Sequence, residues 1–140
     1  MPCPSAARFL LATALAALAC AAHAQDQAHT FGLHLVSYHE PDKTYNNTNP
    51  GAYYRHPDGW TAGFYRNSVR RDSIYVGYTW KFGIFDITTA GVTGYFDKVQ
   101  PLLVPSVSLG TWHGVTPRIA YIPRVEKKIG SHVIHLMLEF

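Results

Sequence analysis

Hydrophobic and polar side chains alternate along short stretches of the chain from Thr30 onward. Between residues 74 and 82 apolar side chains occupy every second position, and small or polar side chains occupy most of the positions between them. A period of two is that of a β-strand, because successive side chains point to opposite faces. Gly, Pro, Asn and Asp separate these stretches. We predict strands at 30–39, 51–56, 59–67, 73–82, 84–94, 102–110, 115–122 and 131–140.

The connections between these strands alternate in length. Starting from the first strand, the odd connections are long and the even ones short, as in outer-membrane barrels, which have short periplasmic turns and longer outer loops. The pattern predicts an all-β fold: an eight-stranded antiparallel up-and-down outer-membrane β-barrel. Lys and Arg side chains gather in the long connections. Either they are ordinary charges of solvated loops, or they face the phosphates of lipopolysaccharide.

The last strand resembles the insertion signal of bacterial outer-membrane barrels. Ile134, Leu136, Leu138 and Phe140 share one face, and the chain ends on an aromatic residue. Such a sheet has to close, since an open edge in hydrocarbon leaves backbone groups unpaired.

The first 24 residues have the pattern of a secretory signal peptide. Arg8 precedes an apolar run over residues 9–22, and Ala22-His23-Ala24 is a small-x-small cleavage site. A competing interpretation places cleavage before Cys20, which would then carry a lipid. Cutting after Ala24 leaves 140 − 24 = 116 residues, enough for a single barrel domain over 25–140. We expect the protein to be exported to the bacterial outer membrane.

Composition excludes several classes of function for the exported chain. Its two cysteines, Cys3 and Cys20, lie in the predicted signal peptide, so disulfides, zinc–thiolate sites and cysteine nucleophiles are not expected. Removal of Arg8 with the signal peptide lowers the formal charge from +3 to about +2, which is too small to indicate a nucleic-acid partner. No metal or organic cofactor is expected, and we expect a membrane-embedded monomer.

The inward face of the predicted barrel is mostly small or apolar, with few charged residues. A polar plug or a water-filled pore would require more charged positions. The lumen therefore either accepts an acyl chain or is filled by its own side chains, as in many small barrels.

Candidate catalytic side chains lie near one end of the predicted barrel. His34, Tyr38 and His39 belong to the first strand, and Asn67 and Ser68 follow the third. A histidine beside a hydroxyl supplies the base and the oxygen that acyl transfer needs. A histidine on a strand also commonly has only a structural role, so this pattern leaves both interpretations open.

Several short blocks of the sequence resemble the PagP-type lipid A palmitoyltransferases, over most of residues 31–140. The blocks are His34, Tyr45-Asn46, Gly51 after Pro50, Asn67-Ser68, Gly77-Tyr78-Thr79-Trp80, Leu102-Leu103-Val104-Pro105, Tyr121-Ile122-Pro123 and the Phe140 terminus.

The resemblance implies an outer-membrane enzyme that moves a fatty acyl chain from a glycerophospholipid to lipid A. Its catalytic pattern is a His, an Asp and a Ser at the outer end of the barrel. The His maps onto His34 and the Ser onto Ser68. Asn67 replaces the Asp and can position a partner but cannot carry its negative charge. Asp72 is a possible substitute for that carboxylate.

Alternation imposes a constraint on this site. Asn67 and Ser68 point to opposite faces of a regular strand, so both approach His34 only if the strand ends or bulges at Asn67. Tyr38 is expected to share a face with His34, and His39 is a rival base nearer the rim. The alternatives to an enzyme are a small structural or adhesive outer-membrane barrel and a soluble periplasmic barrel that binds an apolar ligand.

Overall fold

The computed structural model describes residues 28–124 and 130–140, which form eight antiparallel strands closed into a barrel. The predicted eight-stranded antiparallel barrel is confirmed, whereas the predicted signal peptide lies outside the described residues. No helix long and apolar enough to cross a membrane occurs within residues 28–124 and 130–140. The strands are β1 Thr30–Glu40, β2 Thr48–Arg55, β3 Trp60–Arg66, β4 Asp72–Phe82, β5 Phe85–Val92, β6 Gln100–Ser108, β7 Thr116–Ile122 and β8 His132–Glu139.

Each strand pairs with the next one along the chain, and β1 closes the barrel by pairing with β8 from Gly32–Glu139 to Glu40–His132. The connections 41–47, 67–71 and 93–99 lie at one end together with residues 123–124 and 130–131, and this end is called here the loop end. The connections 56–59, 83–84 and 109–115 lie at the other, the turn end. The predicted alternation of length holds for 56–59 and 83–84. It fails for 109–115, which is as long as 41–47 and contains a bridge between Trp112 and Val115.

Strand β2 begins at Thr48, three positions before the predicted start. Asn and Pro at positions 49 and 50 favour a loop by composition. Tertiary contacts override that preference: Thr48 pairs with Val36 of β1, and the Asn49 side chain donates a 2.9 Å hydrogen bond to the Arg66 carbonyl.

The outer face of the barrel carries large apolar side chains on seven of its eight strands. Every strand except β2 contributes at least one exposed large apolar or aromatic side chain. Examples are Phe31, Leu33, Trp60, Phe64, Ile74, Val76, Trp80, Phe85, Leu103, Tyr121 and Ile134. Exposed apolar surface of this extent marks a surface that interacts with a membrane or with another protein.

The inside of the turn end holds four buried charged side chains, Arg55, Asp86, Arg118 and Glu139, called here the ion quartet. Glu139 accepts hydrogen bonds from Arg55 at 2.9 Å and Tyr53 at 2.7 Å, and its other oxygen lies 3.2 Å from Arg118 Nε. Asp86 lies 3.4 Å from Arg55 and 3.1 Å from Arg118. The sequence predicts few lumenal ions, and within the described residues the buried Asp, Glu, Lys and Arg side chains are these four. Two guanidinium groups and two carboxylates form one cluster, in which the formal charges cancel.

We expect Asp86→Ala to lower the free energy of unfolding by about 3–5 kcal/mol, because it leaves two buried guanidinium groups with one carboxylate. Unfolding of the purified barrel in urea, followed by tryptophan fluorescence, measures this change. The control is Asp58→Ala in the exposed 56–59 turn, which should stay within about 0.5 kcal/mol of the parent. Equal stability of the two variants would show that the quartet does not hold the barrel closed.

Candidate functional site

Above the ion quartet, the lumen contains a cavity of about 440 Å³ that opens towards the loop end. This volume lies within the range of about 300–1,000 Å³ that is usual for small-molecule sites. One wall is apolar and consists of Val92, Leu102, Val104, Ala120 and Met137. The opposite wall is formed by aromatic and imidazole rings of β1–β4 and β8. The cavity is therefore apolar on one side and lined by hydrogen-bonding side chains on the other.

The polar wall contains a continuous chain of four hydrogen-bonding side chains, called here the relay. Ser37 Oγ lies 2.7 Å from His135 Nδ1, and His135 Nε2 lies 2.9 Å from His34 Nδ1. His34 Nε2 lies 2.9 Å from the Tyr75 hydroxyl. All four residues line the cavity, and His34, His135 and Tyr75 are buried. The rings of Tyr53 and Tyr65 pack against His34 at centroid distances of 5.1 and 5.2 Å and fix its orientation.

A β-bulge in β1 makes the relay possible. The register of β1 against both neighbours shifts between His34 and Val36, so Leu35 is an extra residue. In a regular strand His34 and Ser37 would point to opposite faces. With the bulge, both point into the lumen. Bulges are over-represented next to active sites because they redirect a side chain in this way.

The same bulge overturns the prediction that Tyr38 shares a face with His34. Tyr38 is 58% exposed on the outer face, where its hydroxyl donates to Glu40 at 2.9 Å. His39 points inward instead and is buried near the rim. Its Nδ1 lies 2.6 Å from Asn47 Oδ1, and its ring packs on Tyr45. His34 and His39 therefore lie at two depths of one cavity.

Ser68 lines the same cavity as His34 but at its loop end, beyond the last residue of β3. Its backbone carbonyl accepts a hydrogen bond from Asn46 of the 41–47 loop. Both ring nitrogens of His34 contact other groups, His135 and Tyr75. The structure thus brings the two predicted residues to one cavity without a direct contact between them.

Asn67 is fully buried behind the cavity wall and holds the loop that joins β3 to β4. Its oxygen accepts from the backbone N–H groups of Val69 and Arg71 at 3.0 and 2.9 Å. Its amide group donates to Ser73 Oγ at 3.0 Å and to the Gly94 carbonyl at 3.1 Å. Every hydrogen-bonding direction of this side chain is therefore used in shaping the loop.

Asp72 does not supply the carboxylate that the transferase pattern has at the position of Asn67. Its exposed side chain forms an ion pair with Arg66 at 2.9 Å, and it is not among the residues that line the cavity.

Ser37 and His135 are the site residues that sequence reasoning missed. The alternation of β8 could have identified His135, since it lies on the face opposite Ile134 and Leu136. Ser37 gives no such signal, because its inward direction depends on the bulge. Within residues 28–124 and 130–140, no group of three or more His, Cys, Asp or Glu side chains is arranged to hold a metal ion.

We expect Asn67→Asp, which introduces the carboxylate of the transferase pattern, to destabilise the barrel by about 1–3 kcal/mol. The new oxygen is an acceptor and would face the Gly94 carbonyl, which is also an acceptor. It would also face Ser73 Oγ, and the Ser73 hydroxyl already donates its only proton to the Thr93 carbonyl at 2.6 Å. Urea unfolding measures the change. Asn47→Asp is the control, since Asn47 is exposed and its oxygen remains an acceptor for His39. An Asn67→Asp barrel as stable as the parent would contradict the structural role of the amide.

No protein-family model, curated protein or solved structure matches the chain. The resemblance to lipid A palmitoyltransferases therefore stays a prediction from short sequence blocks.

Proposed function

We propose that the protein is an outer-membrane acyltransferase that moves a fatty acyl chain from a glycerophospholipid to a hydroxyl group of lipid A. The observation that carries the proposal is the apolar cavity, which is closed by charges at one end, open at the other, and lined along one side by Ser, His and Tyr side chains.

The outer surface supports a place in a membrane. Exposed large apolar side chains lie on seven of the eight strands, and each strand pairs with a neighbour on both sides, as a sheet in hydrocarbon requires. Near the turn end, Trp60, Tyr78 and Trp80 pack together on the outside, as in the aromatic girdles of membrane barrels. The longer connections lie at the loop end, which in outer-membrane barrels is the outer side. With that orientation the loop end would face the outer leaflet, where lipid A lies.

The cavity suits an acyl chain better than a polar ligand. Its apolar wall offers favourable burial to methylene groups, about 0.8 kcal/mol for each. The ion quartet stops a chain from passing through the turn end. An ester carbonyl near the loop end would then lie close to the hydroxyl and imidazole groups of the polar wall.

The seam between β6 and β7 offers a route by which a lipid reaches the cavity from the side. These strands pair only at positions 106–108 of β6, next to the turn end, whereas β5 pairs with β6 from Phe85 to Val92. Pro101 and Pro123 line the cavity beside the unpaired part and have no N–H to donate. An acyl chain can enter through such a gap without dissolving in water.

A second candidate, a structural or adhesive barrel without catalytic activity, is favoured by Asn67. Its amide is committed to the loop at the position where the transferase pattern requires a carboxylate. The two candidates differ in whether the lipid composition of the cell changes.

Expression of the full-length chain in a bacterium that lacks its own lipid A palmitoyltransferase separates the two candidates. We expect mass spectra of lipid A to contain a new species heavier by one acyl group, and we expect His34→Ala to lose it because the relay is broken. Unchanged lipid A, from a chain shown to be folded in the outer membrane, would favour the structural barrel.

We expect Ala120→Leu to shift the transferred acyl groups towards shorter chains, because Ala120 is buried in the apolar wall and a larger side chain occupies part of the cavity. Mass spectra of lipid A measure the chain length. The control is Ala62→Leu on the outer face of β3, which should leave the length unchanged. An unchanged length in a folded Ala120→Leu barrel would mean that the chain does not occupy this cavity.

A further inference from the structure

We propose that Ser37 is the nucleophile of the transfer reaction and that His135 is its general base, with His34 and Tyr75 as positioning residues. This inference rests on the proposed function and assigns its chemistry to the relay rather than to Ser68. It makes the reaction a two-step transfer through an acyl-serine intermediate.

The contacts of Ser37 are those of an activated hydroxyl. Its oxygen lies 2.7 Å from an imidazole nitrogen of His135, whose other nitrogen is 2.9 Å from His34. A nucleophile, a base and a third group that orients the base are the elements of nucleophilic catalysis by serine. The backbone of Ser37 is also fixed, because its N–H donates to the Asn47 carbonyl at 2.8 Å. Its side chain is only partly buried and faces the cavity.

The hydrogen-bond directions along the relay are coupled. A neutral imidazole has one donor and one acceptor nitrogen, so neutral His34 and His135 permit two complete arrangements. In one, Ser37 donates to His135, His135 donates to His34, and His34 donates to Tyr75. In the other, Tyr75 donates to His34, His34 donates to His135, and His135 donates to Ser37. The first arrangement leaves the Nδ1 lone pair of His135 directed at the Ser37 proton, as general base catalysis requires.

The proposed first step forms a bond between Ser37 Oγ and the carbonyl carbon of a phospholipid ester, and the Ser37 proton passes to His135 Nδ1. The ester C–O bond then breaks, and the leaving glycerol oxygen takes that proton from His135 to give a lysophospholipid. In the second step a lipid A hydroxyl loses its proton to His135 and attacks the acyl-serine. Ser37 leaves and recovers the proton, so no further reactant is needed.

Ser68 lacks the contacts that define a nucleophile here. It lies at the rim, and both nitrogens of His34 are already engaged inside the relay. Within the described residues, Ser37 is the serine whose hydroxyl lies within hydrogen-bond distance of a histidine ring.

The test combines a chemical probe with lipid A analysis. A fluorophosphonate, which reacts with activated serine hydroxyls, is added to the purified full barrel in detergent micelles, and peptide mass spectrometry locates the label. We expect labelling at Ser37 and its loss in Ser37→Ala, together with loss of the new lipid A species in cells. Ser108→Ala is the matched control, because Ser108 Oγ accepts from Gly110 N–H and is not among the cavity-lining residues. Heat-dependent mobility in detergent gels confirms that each barrel is folded.

The outcomes separate the inference from the proposed function. If the parent acylates lipid A and folded Ser37→Ala does so equally, the nucleophile is another residue and the inference fails, while the transferase stands. If Ser37 is labelled but lipid A is unchanged, the assignment of Ser37 as the nucleophile is supported and the assignment of lipid A as the acyl acceptor is wrong. The absence of both labelling and acylation overturns both proposals.

A further variant tests the positioning residues. We expect His34→Phe to slow labelling of Ser37 by about 10²-fold or more and to change the pH dependence of its rate, because His135 loses the partner that orients it. A merely structural role for His34 would reduce the yield of folded barrel and leave the pH profile of the folded fraction unchanged.

Discussion

Pairing between the first and last strands closes the sheet, and the interior of the barrel depends on this contact. It brings His135 to Ser37, which lies 98 residues earlier in the chain, and to His34. It also places Glu139 within hydrogen-bond distance of Arg55 and Tyr53. Both the relay and the ion quartet therefore require the same β1–β8 register. A slip of one residue in that register would direct the inward side chains of β8 outward.

Two further features turn a closed sheet into a site. The bulge at Leu35 directs both His34 and Ser37 inward, although their spacing in the chain is odd. The ion quartet keeps its charges together at the turn end, where each guanidinium faces two carboxylates. The rest of the lumen is thereby free of buried Asp, Glu, Lys and Arg among the described residues, and its apolar wall faces the relay across an open cavity. The proposed chemistry depends on this arrangement, in which the ion pairs, the apolar cavity wall and the imidazole groups occupy different parts of one short barrel.

The sequence predicted much of the fold because strand faces are local properties. The alternation around Tyr75 and Trp80 identifies β4 and its two faces, and in the structure Tyr75 is buried inside whereas Trp80 is exposed outside. The site is harder to predict from the sequence than the fold. His34 and Ser68 line one cavity. The contact between Ser37 and His135 depends on a bulge and on barrel register, and neither has a local signature in the sequence. The same limit explains why the face predicted for Tyr38 is wrong, since regular alternation does not continue across the bulge at Leu35. The structural role of Asn67 follows from its contacts with Ser73 and Gly94, which are brought together only by the tertiary fold.

The central claim is that an acyl chain occupies the cavity beside the relay, and Met137 allows a direct measurement. Met137 is the one methionine after Met1, and its side chain lies on the apolar wall. The barrel is prepared with a ¹³C-labelled methionine methyl group in deuterated detergent, and protonated phospholipid is added. The account predicts nuclear Overhauser contacts between the Met137 methyl protons and the methylene protons of the acyl chain, and predicts that they weaken in Ala120→Leu. A Met137 methyl group that contacts water and protein protons but no acyl protons would contradict the account.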